Sequence, residues 1–183
     1  SIPAERMAYA LNQRLPDDIV IVCSKEVPLD WHPRYQDEIL KTYEYHIYNA
    51  PVSNPLKRRY STFVSFPMNV EKMREGAAYL LGEHDFVSFC NVRTSVEDTV
   101  RTVKELKIEQ EGPDITIRIT GNGFLYNMVR IIAGTLIRVG RGFYEPIKVK
   151  EILEAKERTQ AGVTAPPEGL VLVCIVYDRA RSK

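Results

Sequence analysis

The sequence runs to 183 residues, with 44% hydrophobic and 27% charged residues, a balance that gives one domain, or one domain and part of another, and excludes disordered and fibrous chains. The 25 Lys and Arg against 24 Asp and Glu leave a net charge of +1, which argues against a basic coat spread over the whole surface. No apolar run reaches the roughly 18 residues of a membrane span and no basic-then-apolar leader opens the chain, so a soluble, cytoplasmic protein is expected.

Residues 3 to 14 place Met7, Ala8 and Leu11 at helical spacing, with Pro3 in the first turn. Ile19 to Cys23 is apolar and rich in β-branched residues and reads as a strand. An irregular stretch follows through Pro28, Trp31, His32, Pro33 and Arg34. Lys41 to Tyr48 is rich in strand formers; period two puts Lys41, Tyr43, Tyr45 and Ile47 on one face and Thr42, Glu44, His46 and Tyr48 on the other. After the Pro51–Pro55 loop, Tyr60 to Phe66 reads as another extended segment. Asn69 can cap a helix over Val70–Leu81, with Met73, Ala77, Leu80 and Leu81 inward and Gly82 ending it.

Thr99–Glu109 and Ile115–Thr120 flank the turn cluster Glu111-Gly112-Pro113-Asp114 and form an antiparallel hairpin. The strongest helical pattern runs from Phe124 to Val139, with Leu125, Met128, Val129, Ile132, Leu136 and Val139 on one stripe. Another helix covers Val149–Glu157, and Leu170–Tyr177 is an apolar closing strand after Pro166-Pro167. The order predicts an α+β fold, a mainly antiparallel mixed sheet with helices on one face.

Charge is not evenly distributed. Between Arg118 and Lys150 stand six basic residues and one acid, Glu145, a net +5 against −4 for the remainder. On a helical wheel Asn127, Arg130, Gly134, Arg138 and Arg141 lie opposite the apolar stripe. That face is either solvated or a contact for nucleic-acid phosphates, to which Lys57, Arg58 and Arg59 can add. Tyr43 and Tyr45 suit base stacking on a strand face, with Lys41 beside them, or are ordinary core tyrosines.

Other chemistries find little support. Tyr126 occupies the third glycine position after Gly121 and Gly123, so the dinucleotide fingerprint is absent, and no Walker lysine pattern occurs. His32, His46 and His84 lack metal-ligand spacing; Cys23, Cys90 and Cys174 are odd in number and far apart, and buried reduced thiols are expected. A hydrolase built on His84, Asp85 and Ser88 lacks a nucleophile elbow. No metal and no cofactor is expected.

Five segments, in order, resemble the tRNA pseudouridine synthase A family: Trp31-His32-Pro33-Arg34-Tyr35, Lys41-Thr42-Tyr43-Glu44-Tyr45, Gly82 to Phe89, Gly123 to Arg130, and Ala165 to Leu170. The resemblance implies an RNA-recognition-motif-like or ferredoxin-like half of the pseudouridine synthase fold, and a cofactor-independent isomerase of uridines in the tRNA anticodon stem-loop. It implies an aspartate nucleophile in an Arg-Thr-Asp-Ala-Gly-Val loop, Tyr43 packed on the target base, Arg130 paired with the catalytic carboxylate, and Leu170 lining the base pocket. It also implies a homodimer.

One departure stands out. No Arg-Thr-Asp loop occurs in the 183 residues; Arg158-Thr159-Gln160-Ala161-Gly162-Val163 is its nearest likeness, with Gln160 at the aspartate position. A neutral carboxamide cannot serve as that nucleophile. The expectation is therefore a carboxy-terminal portion of such an enzyme, inactive alone, in which residues 1–30 are a remnant of the first half-domain and 31–183 the second. The alternative is a non-catalytic RNA-binding module.

Overall fold

The computed structural model describes residues 2–33, 39–91 and 98–177. Arg34 and Tyr35 of the first family-like motif lie outside the described residues. The chain divides into two compact units, residues 1–37 and 38–183.

In the first unit the expected helix forms as α1 (Ala4–Asn12). Ile19–Cys23, expected as a strand, has no ladder partner among the described residues, and Val20 and Val22 are exposed. Side chains do part of the work a neighbouring strand would do. The Asn12 carboxamide donates to the Ile21 carbonyl and accepts its N–H, both at 2.8 Å, and Ser24 Oγ accepts the Ala8 N–H (2.9 Å) while donating to the Ala4 carbonyl. Local polar bonds of this kind satisfy the backbone without a sheet.

The second unit is built on β1 (Ile39–Asn49). One edge of β1 pairs antiparallel with β5 (Asp114–Gly121). The other pairs antiparallel with β6 (Leu170–Tyr177) and, further along, parallel with β2 (Thr62–Val64). Beyond β5 lie β4 (Val100–Glu111) and β3 (Gly82–Asp85), completing a six-stranded mixed sheet. The α+β expectation holds. The β4–β5 hairpin closes through Gly112-Pro113, and Gly112 takes φ +55°, a backbone only glycine adopts cheaply.

Strand alternation divides the two faces. Tyr45, Ile47, Ile115, Ile117 and Ile119 are buried in the core, while the facing pairs Thr42–Thr120, Glu44–Arg118 and His46–Thr116 make polar contacts on the other side. The core is closed by α2 (Val70–Ala78), α3 (Met128–Gly140) and α4 (Lys148–Ala155). Asn69 caps α2 as expected, its side chain accepting the Lys72 N–H at 3.0 Å. Leu81, expected inward, is exposed because the helix has ended at Ala78 and the 3.6-residue period no longer applies. Gly82, with φ +100°, opens β3 instead of ending the helix.

Two further corrections bear on the site. First, α3 begins at Met128 rather than Phe124, because Asn127 adopts a left-handed φ of +61° that breaks the helix there. Second, α3 has no continuous solvated basic face. Gly134 is buried beneath the strap 161–165, where a Cβ would lie 1.9 Å from the Val163 carbonyl oxygen. Gly162 reciprocates: its own Cβ would sit 2.7 Å from the Thr135 backbone, and its N–H donates to Thr135 Oγ1 at 2.9 Å. The thiol expectation also fails in part, since Cys90 is buried but Cys23 and Cys174 are exposed.

Candidate active site

Four stretches of chain meet near the start of β6: the β1 tyrosines, the bend Phe124–Asn127, the first turn of α3, and the segment Ala165–Leu170. In β1, Tyr43 is half-buried, its ring edge-on to Phe124 with centroids 5.2 Å apart and planes at 84°. An edge-to-face pair of this kind fixes a ring while leaving part of its surface free. Gly121 lets Phe124 approach, for a Cβ there would lie 3.2 Å from the phenyl tip and 2.7 Å from the Thr102 carbonyl.

Leu170 stands opposite Tyr45 in the β1–β6 ladder, and Tyr43 stands opposite Leu172, just after an irregularity at Thr42/Tyr43. Directly opposed residues share a face, so Tyr43 and Leu170 are diagonal neighbours roughly 7–8 Å apart. Both are partly buried against the core.

Arg130 comes from the first turn of α3. Its Nε donates to the Ala165 carbonyl at 2.7 Å and its Nη1 to Asn127 Oδ1 at 3.1 Å, and the Ala165 N–H returns a bond to the Arg130 carbonyl at 3.1 Å. Among the described residues no carboxylate lies within ion-pair distance of this guanidinium. The cation is thus held by two neutral acceptors, near the positive end of a helix dipole that does not favour it. Such an arrangement orients a charge and leaves it available to an anion.

Tyr45 is fully buried. Its phenol meets Thr62 Oγ1 at 2.5 Å and the Pro166 carbonyl at 2.7 Å. Burial pushes its pKa up to about 12, so it is a neutral donor throughout the ordinary pH range. Gly169 packs flat on it, since a Cβ there would come within 2.9 Å of the ring. The sequence offers Tyr45 as a stacking or core tyrosine and Asn127 as part of a basic helix face, but gives neither these hydrogen-bonding roles nor any role to Phe124 and Gly169. Those roles depend on contacts between residues far apart in the chain, which local patterns do not encode.

The remaining candidates fall elsewhere. Of the six basic residues between Arg118 and Lys150, three are paired with acids: Arg118 with Glu44, Lys148 with Glu151 and Lys150 with Glu154. The α3 arginines are the other three. Arg141 lies between the rings of Phe66 (4.6 Å) and Phe143 (4.8 Å), and Arg138 between Phe143 (5.7 Å) and Tyr144 (4.9 Å), giving an alternating aromatic–arginine ladder. It sits about 12–16 Å along the helix from Arg130. Lys57 is engaged by both oxygens of Asp114 and lies 5.1 Å from the Tyr48 ring, some five residues, or about 17 Å, of strand from Tyr43. Arg58 and Arg59 are exposed beside it, and Lys41 is partly buried between Gly121 and Ile175.

The hydrolase grouping does not assemble. Ser88 is fully buried and donates to the Ile152 carbonyl at 2.6 Å, while His84 Nε2 bonds the Leu81 carbonyl at 2.8 Å. Asp85 takes the Thr99 hydroxyl, the Val87 N–H and Lys156; the Thr99 bond above all holds its carboxyl below the usual range.

Similarity to known proteins gives the class. A family model described as tRNA pseudouridine synthase matches residues 77–178, and the chain belongs to that family of isomerases. More narrowly, it is 47% identical to tRNA pseudouridine synthase A of Brevibacillus brevis and 48% identical to that of Bacillus subtilis, in each case over 97% of this chain and 72% of the relative. The corresponding figure for Thermoanaerobacter pseudethanolicus is 49%, over 96% of this chain and 72% of the relative.

Proposed function

We propose that this chain forms the base-holding and carboxylate-orienting part of a tRNA pseudouridine synthase acting on uridines of the anticodon stem-loop. Tyr43 packs against the target base, Leu170 lines the other side of the pocket, and Arg130 ion-pairs with the nucleophilic aspartate and keeps it ionised. The reaction breaks the bond between the sugar and N1 of uracil, turns the base, and forms the bond to C5, whose proton is released. The observation that carries this reading is the oriented but acid-free guanidinium of Arg130 beside a half-exposed tyrosine.

The aspartate belongs to a segment outside these residues. Gln160 does not replace it, and its loop is the strap packed on α3. Residues 1–30 then belong with the first half-domain and 31–183 with the second, and the enzyme works as a cytoplasmic homodimer. Tritium release from tRNA labelled at uridine C5 should occur with the complete synthase and not with the 183 residues alone. Release by the 183 residues would place the nucleophile among them and sink the reading. A non-catalytic RNA-binding module would use the same arginines but give Arg130 no carboxylate to orient, and no tritium would be released by any length of chain.

Tyr43→Ala in the complete synthase should abolish turnover while weakening tRNA binding by no more than the roughly 1–3 kcal/mol of one stacked base. Turnover at the parent rate would refute the assignment. The ladder of Arg138 and Arg141 serves the RNA backbone: aromatic rings lie against both guanidiniums, and because the Arg138 Nε is buried, Arg138 can offer phosphates only its terminal N–H groups. Lys41, Lys57, Arg58 and Arg59 are lesser contributors, Lys57 least because Asp114 already neutralises it. Arg141→Ala should lower the slope of log K against log salt by about one. An unchanged slope would remove Arg141 from the RNA contact.

A further inference from the structure

Two consecutive prolines make Ala165–Leu170 an unusual segment to hold in place. Pro166 and Pro167 have no N–H, so this stretch can be anchored only through its carbonyls and its flanking amides. Two side chains supply those anchors at adjacent positions: Arg130 Nε donates to the carbonyl of Ala165 and the Tyr45 hydroxyl to that of Pro166. A carbonyl only accepts, so the single phenolic hydrogen lies on the Pro166 bond and Thr62 must be the donor in its contact with Tyr45. The ring beneath is locked by full burial and by Gly169, which no larger residue could replace without striking it.

We infer that Tyr45 is a positioning residue for the reaction: by fixing the Pro166 carbonyl it sets the Ala165 carbonyl one residue earlier, and so aims the Arg130 guanidinium at the catalytic carboxylate. The inference rests on the role proposed above for Arg130. It assigns to Tyr45 no contact with the base. The chain of contacts is short and made of hydrogen bonds: Tyr45 to Pro166, Ala165 to Arg130 in both directions, and Arg130 to Asn127. A small tilt of the 165–166 peptides therefore rotates the guanidinium.

The test uses the complete synthase and three variants, assayed for tritium release at a temperature where each is fully folded. Tyr45→Phe removes only the hydroxyl and should lower kcat by about 10- to 100-fold, as expected for a misaimed catalytic group, with KM for tRNA nearly unchanged. Ser88→Ala removes a matched buried hydroxyl–carbonyl bond away from the site, so it should lose similar stability and keep its kcat. An equal fall in kcat there would overturn the inference by making lost stability the cause. Combining Tyr45→Phe with Arg130→Lys should cost little more than Arg130→Lys alone, because both act through one group. Losses that multiply would overturn it, and so would parent-level kcat in Tyr45→Phe.

If Tyr45→Phe fails to fold, a ring-fluorinated, more acidic tyrosine at this position keeps the shape and the bond. Its kcat should fall on the alkaline side at lower pH than in the parent, as the phenol loses the hydrogen it donates; an unmoved limb would overturn the inference. Parent-level turnover in Arg130→Lys would instead defeat the Arg130 role. Loss there with none in Tyr45→Phe would defeat the Tyr45 inference only.

Discussion

Replacing Arg130 by alanine in the complete synthase should lower kcat by about 100-fold or more, with tRNA affinity at fixed salt almost unchanged. The magnitude follows from what the side chain does. Its guanidinium is tied at Nε to Ala165 and at Nη1 to Asn127, which leaves its remaining edge to face a carboxylate in one orientation. Alanine removes both the charge and the tie that secures the 165–170 segment. Lysine keeps the charge but not the planar fork, and its single compact ammonium does not match acceptors placed for a separate Nε and Nη1. Single-turnover tritium release separates chemistry from binding, and turnover within about twofold of the parent in Arg130→Ala would show that the carboxylate is oriented by another group.

Gly134→Ala carries the second large effect, on stability. In an ordinary helix interior this change stabilises by about 0.5–1 kcal/mol. Here the new methyl would lie 1.9 Å from the Val163 carbonyl oxygen and 3.4 Å from the Ala165 nitrogen. Backbone cannot yield as a side-chain tip does, so the strap must lift. Lifting it breaks the bond from Gly162 to Thr135 and disturbs the paired bonds between Ala165 and Arg130. We expect a loss of about 2–4 kcal/mol from overpacking and unmade buried bonds, read as a fall of about 5–15 °C in Tm for a chain of this size. A Tm at or above the parent's would show that the strap accommodates the methyl.

These two positions also mark where sequence patterns stop being informative. Strand β1 and the hairpin β4–β5 were legible because alternation and an Asp/Gly/Pro turn are local signals, and Asn69 announced α2 in the same way. The basic face of α3 was not. A helical wheel places Gly134 beside the arginines but cannot reveal that residues 161–165 will cover it. Likewise Asn127 delays the start of α3 by a left-handed φ that no periodicity encodes, and Ile19–Cys23 has every local mark of a strand except a ladder partner among the described residues.

Alternation and the helical wheel single out Tyr43 and Arg130, but the particular roles of Tyr43, Arg130 and Leu170 come only from the family-like segments that contain them. The charge distribution offered a basic stretch, and three of its six basic residues are paired with acids. Tyr45 was the most instructive case. Core tyrosine and functional tyrosine seemed opposed readings, yet its buried hydroxyl holds the segment on which the arginine depends.

The sheet topology also sets the order in which the site comes into being. The hairpin β4–β5 joins neighbours in sequence and can close early, whereas Tyr43 and Leu170 meet only when β6 reaches β1. Contacts of such wide sequence separation form late, because the entropy of closing a long loop must be overcome first. On the ribosome, nearly all of the described chain must emerge before the tyrosine has its leucine. Residues 39–49, which hold the tyrosine, therefore lack one of their flanking strands until the last described residues have been made, and a nascent chain halted before residue 170 would carry Tyr43 with its partner strand still unmade.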